Sequence, residues 1–475
     1  MPQANEGESM ATIYENTEQL KKALAGILKI LDGDVKVLDS KKLKSFLIDD
    51  LIFTAVFSPQ EEARKAAKWL IRRTGAALGI FSTSIHPLYE AMGRKEVTGF
   101  TVPAINIRAL TYDVAQAVLR AVMKDDVGSV IFEIARSEID YTLQRPEEYT
   151  CAVTAAAIKV GYRGCLFLQG DHFQVNAKKF TSDPAKEVQK VKDLIWEAIE
   201  AGFYNIDIDT STLVDLSKPT VVEQQKTNYG LAAELSTMIR DLEPAGMTIS
   251  IGGEIGEVGG KNSTVEELRA FMTGYLEELN KSGENMKGIS KISVQTGTTH
   301  GGVPLPDGSI AKVKLDFDTL DQLSAVAKAE FGLSGAVQHG ASTLPNEAFD
   351  RFPTTGTAEI HLATGFQNMI YDSTHMPVVL RDQIYQYIKT ELMSEKKDTD
   401  TEEQFIYKTR KKGFGPFKKE LWHLPQEALK AIGAELEKQF SFLFGKLNVK
   451  NTSDSVAKYI KPADVPLKLP ESLRA

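Results

Sequence analysis

Four histidines and one glutamate stand at or just behind short apolar or β-branched runs: His172 in LFLQGDH, Glu254 in TISIGGE, His300 in KISVQTGTTH, His339 in GAVQH and His361 in AEIH. Imidazole nitrogens and carboxylate oxygens are the usual ligands of zinc and of several other divalent cations. His172, His300 and His339 would supply three imidazoles and leave positions open for water or substrate, which is the composition of a catalytic metal site rather than a closed structural one. A cation held this way acts as a Lewis acid on a carbonyl or phosphoryl oxygen. A histidine taken singly is more often a hydrogen-bonded core or surface side chain. The metal reading rests on recurrence: these ligand types reappear where strand-like runs end, and the C-terminal mouth of a (β/α)8 barrel gathers one site from such positions.

Asp171 precedes His172 directly. Beyond a strand end, one side chain can reach a metal while its neighbour faces the substrate, and a carboxylate there can exchange a proton with a substrate oxygen. Aspartate is also a favoured helix N-cap, so both roles stay open. The stretch GGEIGEVGGKNS surrounds Glu254 and Glu257 with glycines, which allow close backbone approach to a ligand or a loop that moves. It matches neither a Walker ending nor G-x-G-x-x-G, so a nucleotide site is a weak reading. HGG at His300 and HGAST at His339 follow two ligand candidates with small residues whose N–H groups suit an anion nest, or simply a tight loop.

Positioning such residues requires strands separated by crossovers. FTVPAIN, GSVIFEI, GCLFLQG, YNIDID, MTISIGGEI, KISVQTG, SGAVQH and AEIHLAT make eight strand candidates. Amphipathic blocks such as YDVAQAVLRAVMKD and TVEELRAFMTGYLEEL lie between most of them, each long enough to cross back over a parallel strand. The expected architecture is an α/β (β/α)8 TIM barrel over residues 84–375, with a helical N-terminal extension over 1–83 and a helical C-terminal extension over 376–475. TEQLKKALAGILKIL, SKKLKSFLIDDLIF and EEARKAAKWLIRR read as helices of the first extension, and QEALKAIGAELEKQFSFLFGKL after Pro425 as one of the second. SEKKDTDTEE reads as an exposed linker.

Composition narrows the function class. With 56 Lys+Arg against 64 Asp+Glu the net charge is -8, which argues against a nucleic-acid footprint across the surface. No apolar run approaches the roughly 18 residues of a membrane span, and the N-terminus does not read as a secretory signal. Cys151 and Cys165 are too few for a disulfide scaffold or an all-cysteine zinc site, and a reducing cytoplasm fits.

From about Pro87 to Asp372 the chain resembles the class II, metal-dependent fructose-bisphosphate aldolases, through LYEAMGRKEVTGFTVPAIN, GDH, IDIDTS, EIGEVGG, GTTHGG and QHGAST in that order. The resemblance implies a divalent cation, Zn2+ or a similar metal, held by His172, His300 and His339 with Glu254 as an associated carboxylate. It implies Asp171 as the proton-transfer residue and Asp209 as a carboxylate behind the ligands or at an alternate metal position. Asn106, Gly301, Gly340, Ser342, His361 and Thr364 are implied to contact the substrate. The implied reaction is reversible retro-aldol cleavage of fructose 1,6-bisphosphate to dihydroxyacetone phosphate and glyceraldehyde 3-phosphate, a step of glycolysis, in a cytoplasmic homo-oligomer. Another ketose phosphate, such as tagatose 1,6-bisphosphate, and a non-catalytic barrel subunit are the alternatives. Three positions depart from the family pattern. Lys261 and Asn262 follow Gly260 where an acidic base is usual, leaving Glu257 as the substitute, with Glu138, Glu266, Glu267 or His361 behind it. His361 stands where asparagine is expected, and HGGVPLPDG lacks the usual lysine.

Overall fold

The computed structural model describes residues 11–256, 260–297, 305 and 315–474. All eight expected runs form strands: β1 Val102–Asn106, β2 Ile131–Ala135, β3 Gly164–Gln174, β4 Asn205–Asp209, β5 Ser250–Glu254, β6 Lys291–Val294, β7 Ala336–Gln338 and β8 Glu359–Leu362. Each pairs in parallel with its sequence neighbours, and β8 pairs with β1, so the sheet closes into a barrel. Helices Thr111–Asp125, Pro146–Val160, Pro184–Ala201, Val221–Asp241, Val265–Ser282 and Phe317–Phe331 cross back outside it. Their starts are written locally. Pro146 and Pro184 occupy first turns, where a missing N–H costs nothing, and Thr220 with Glu223 and Thr264 with Glu267 form reciprocal capping boxes.

Strand side chains alternate in direction, so every second residue enters the barrel. Here much of the interior layer is charged: Glu133, Asp207, Lys291 and Glu359 are all buried. The Lys291 ammonium donates to Gln169 Oε1 at 2.7 Å, Asp207 Oδ2 at 3.1 Å and Glu359 Oε1 at 2.5 Å. The Tyr89 hydroxyl donates to the other Glu359 oxygen. Gly252 makes room for this cluster, since a Cβ there would sit 2.3 Å from Asp207 Oδ1.

The extensions differ in part from expectation. TEQLKKALAGILKIL is not one helix: Thr17–Ala23 is helical, and Leu28–Leu31 then pairs antiparallel with Asp34–Val37. The cause is Asp32-Gly33, a two-residue hairpin turn in which Gly33 takes φ +87, followed by the alternating Asp-Val-Lys-Val. A further strand, Ile80–Ser82, pairs with the start of β3. At the other end Gln426–Lys446 is the expected helix, and Arg120 Nε lies 2.7 Å from Glu437 on it. SEKKDTDTEE is more ordered than a linker, because Thr401 caps helix Glu402–Thr409 and Asp400 accepts from Lys408. Arg410 Nη1 and Nη2 grip Asp372 at 2.6 and 3.1 Å, which fixes this arm to the last barrel helix, Thr364–Asp372.

Candidate metal centre and substrate cavity

The centre is organised by an irregularity in β3. Gly170 pairs with Ile206 and Phe173 with Ile208, so Asp171 and His172 together oppose the single residue Asp207. This is a β-bulge, and His172 takes the left-handed φ of 41 that a non-glycine residue rarely adopts. As a result two consecutive side chains both line the mouth of the barrel.

His172 and His339 have ring centres 4.1 Å apart, and His361 lies a further 4.1 Å from His339. His172 Nδ1 is 3.0 Å from Asp209 Oδ2 and 3.2 Å from Glu254 Oε2. Donor atoms of His172, Glu254 and His339 all lie within 4.8 Å of one another, which suits ~2.1 Å bonds to one cation. Two other groupings are as compact: Asp171, Asp207, His339 and His361, and Glu133, Glu359 and His361. In those, Lys291 already neutralises Asp207 and Glu359. Among the described residues no lysine or arginine pairs with Glu254 or with the adjacent Asp209, so the first grouping is the one in which no carboxylate has a lysine or arginine beside it.

The electrostatics agree. Burial and the neighbouring Asp209 carboxylate push Glu254 up to about 8. Burial opposes charge on His172, but Asp171, Glu254 and Asp209 outweigh it and hold its pKa well above the ordinary value. His339 is driven well below by burial and by the imidazoles on either side of it. A divalent cation would relieve the crowding, since it favours carboxylate and neutral imidazole together. Asp171 is also buried, yet the adjacent imidazoles of His172, His339 and His361 keep its carboxyl well below the usual range. It lies within β3 and caps no helix, which removes that alternative.

Asn106, Gly340, Ser342, His361 and Thr364 line the same cavity, of about 580 Å³, a size suited to a small ligand. Asn106 Nδ2 donates to Glu138 Oε2 at 2.6 Å, while its Oδ1 is buried with no hydrogen-bond partner among the described residues. Ser342 Oγ accepts the Ala363 N–H at 2.6 Å, so this hydroxyl braces the loop after β8. His361 sits between Glu133 Oε2 at 3.0 Å and Glu359 Oε1 at 2.7 Å, with Asp171 Oδ1 at 3.3 Å. Glu257, His300 and Gly301 lie outside the described residues. Of the substitute bases, Glu267 caps its own helix and holds Lys261 at 2.7 Å, and neither it nor Glu266 lines the cavity.

Several cavity residues escaped the sequence reading, Arg108 and Lys411 among them. Arg108 Nε is 2.7 Å from Glu138 Oε1, and its Nη1 reaches Gln367 Oε1 at 2.9 Å. It stands two residues beyond Asn106, so strand parity was a usable signal. Lys411 comes from the C-terminal arm, some 300 residues away, and no motif marks it.

The family profile described as "Fructose-bisphosphate aldolase class-II" matches residues 88–435. No curated protein matches the chain. Among solved structures, one titled as a fructuronate-tagaturonate epimerase from Cohnella laeviribosi is 13% identical, covers 90% of each chain and has a TM-score of 0.56, a likeness of fold. A fructose-bisphosphate aldolase from Campylobacter jejuni is 18% identical over 78% of this chain and 97% of its own, at a TM-score of 0.46. A putative fructose-1,6-biphosphate aldolase from Coccidioides immitis is 17% identical over 78% and 97%, at 0.43.

Proposed function

The chain belongs to the class II fructose-bisphosphate aldolase family, and from that premise we propose that it catalyses reversible, metal-dependent aldol cleavage of a ketose. The observation that carries the reading is the convergence of His172, Glu254 and His339 beside Asp171 at the mouth of the barrel. These three residues, with His300, would hold the cation. When bound, Zn2+ or a similar divalent ion supplies Lewis acidity at the ketose carbonyl.

The remaining steps belong to the chain itself. Asp171 takes the proton of the C4 hydroxyl, and the C3–C4 bond breaks with its electron pair passing toward C3. An aldehyde leaves, and a proton delivered to C3 completes the ketone product; Glu257 is our candidate donor. Asn106 and His361 orient the substrate hydroxyls, and Thr364 with the loop N–H groups after β7 holds an anionic group. Fructose 1,6-bisphosphate is the first substrate to test, followed by tagatose 1,6-bisphosphate.

A second reading keeps the bond chemistry and changes the outcome. If the aldehyde stays in the cavity, turns over and re-adds, cleavage and closure invert C4, so an acidic ketose such as fructuronate would be epimerised. Lys408 and Lys411, which the C-terminal arm adds to the cavity, favour it by enclosing the site further. Metal analysis, then assays with and without chelator on both bisphosphates and on fructuronate, tests both readings. Normal metal content with no conversion of any of the three would remove both.

A further inference from the structure

Five cationic side chains line the cavity: Arg108, Arg136, Lys179, Lys408 and Lys411. Arg136 is committed to Glu187 at 2.7 Å and Lys408 to Asp400. Arg108 is half committed. Its Nε goes to Glu138 and its Nη1 to Gln367 and, at 3.4 Å, to Thr364 Oγ1, while Nη2 has no hydrogen-bond partner among the described residues. Lys411 has no carboxylate within ion-pair distance among the described residues; its ammonium lies 5.8 Å from the centre of the Tyr141 ring. Burial, with Arg108 close by, pushes its pKa below that of an ordinary lysine.

Two cations crowded in a half-buried wall repel one another, and desolvating an ammonium without a counter-charge is costly. Glu138 pairs directly with Arg108 and reaches Lys411 only at longer range, where burial and Arg108 outweigh it. An anion shared by both groups would remove the repulsion and gain charge-assisted hydrogen bonds from a planar fork and a point charge.

We propose that Arg108 and Lys411 form a subsite for a terminal anionic group of the substrate, a carboxylate or a phosphate monoester, and so select acidic ketoses over neutral ones. That the ligand is a ketose rests on the aldol reading above; the demand for an anion does not. Because Arg108 follows β1 and Lys411 comes from the C-terminal arm, the subsite exists only when that arm is docked on the barrel.

The test is calorimetric titration of the zinc-loaded chain with glycerate, glycerol 3-phosphate and glycerol, which differ only in their terminal group. Lys411→Met is expected to weaken at least one of the two anions ~10-fold or more, the scale of a lost charge-assisted contact, and to leave glycerol unchanged; the anion that suffers identifies the group. Lys411→Arg should restore binding, and Lys412→Met, whose ammonium pairs with Glu395 instead, should have no effect. Arg108→Gln should act like Lys411→Met, but it strands Glu138 and can unfold the chain, so the lysine variants decide. Equal affinity of Lys411→Met and unaltered protein for both anions, no binding of either anion by the unaltered protein, or an equal loss for glycerol overturns the proposal. Failure of carbon–carbon cleavage with anion binding intact sinks the aldol reading alone.

Discussion

Asp209 reaches His172 with Oδ2 3.0 Å from Nδ1, and is itself fixed from behind by the Ser211 hydroxyl at 2.7 Å and by the Gln174 amide. A carboxylate braced this way orients the ring and makes it a better ligand. Asp209→Asn is therefore expected to lower zinc affinity ~10- to 100-fold, the usual effect of losing such a partner. Competition with a chromogenic chelator measures it; an unchanged affinity would mean that His172 needs no help from Asp209.

Replacing Asp171 with Ala should leave metal content near normal while slowing cleavage ~10²-fold or more, as expected for a lost acid–base group. Single-turnover rates and metal analysis on the same sample separate the outcomes. Loss of metal would make Asp171 structural, and full activity would take it out of the mechanism.

Lys291 is fully buried between Asp207 and Glu359. Lys291→Met leaves two interior carboxylates without their cation and should cost about 3–5 kcal/mol, as broken buried pairs do. Urea unfolding reads the loss. Adding Glu359→Gln should recover part of it, because the surplus charge goes with it; no recovery would point to packing around the lysine stem instead.

Burial pushes the Cys151 thiol up to about 12 and the Cys165 thiol up to about 11. Burial disfavours the thiolate, so reactivity at a fixed pH falls. At pH 8 only about one Cys165 in a thousand is ionised in the folded chain, and fewer of Cys151. Iodoacetamide should label neither within minutes under native conditions and both quickly in urea, with native labelling rising as pH approaches 11. Rapid native labelling at pH 8 would contradict this burial.

The barrel was legible because its strands are buried on both faces and read as short apolar runs separated by crossover-length helices. The candidate ligands His172, Glu254 and His339 stood out because each lies at the end of such a run. What escaped notice did so for identifiable reasons. ALAGILKIL carries helix-like spacing, and only Asp32-Gly33 reveals the hairpin. Glu133, Asp207, Lys291 and Glu359 are single charges within apolar runs; inspected alone each resembles a solvent-facing residue, and only barrel closure brings them together. Arg108 was within reach of a parity argument. Lys411 was not, since its place depends on how the C-terminal arm docks.

The bulge at Asp171–His172 also changes the reading frame of β3. Ahead of it odd-numbered residues, Gln169 and Asp171, face the axis; behind it even-numbered ones, His172 and Gln174, do so. One strand thus serves two inside-outside phases, joined where the chemistry is. Deleting either residue at the joint would leave the other alone opposite Asp207, with Phe173 still opposite Ile208 and Gln174 still opposite Asp209, so an edit of one codon there would keep the register of the barrel and leave a single side chain where two now enter the site.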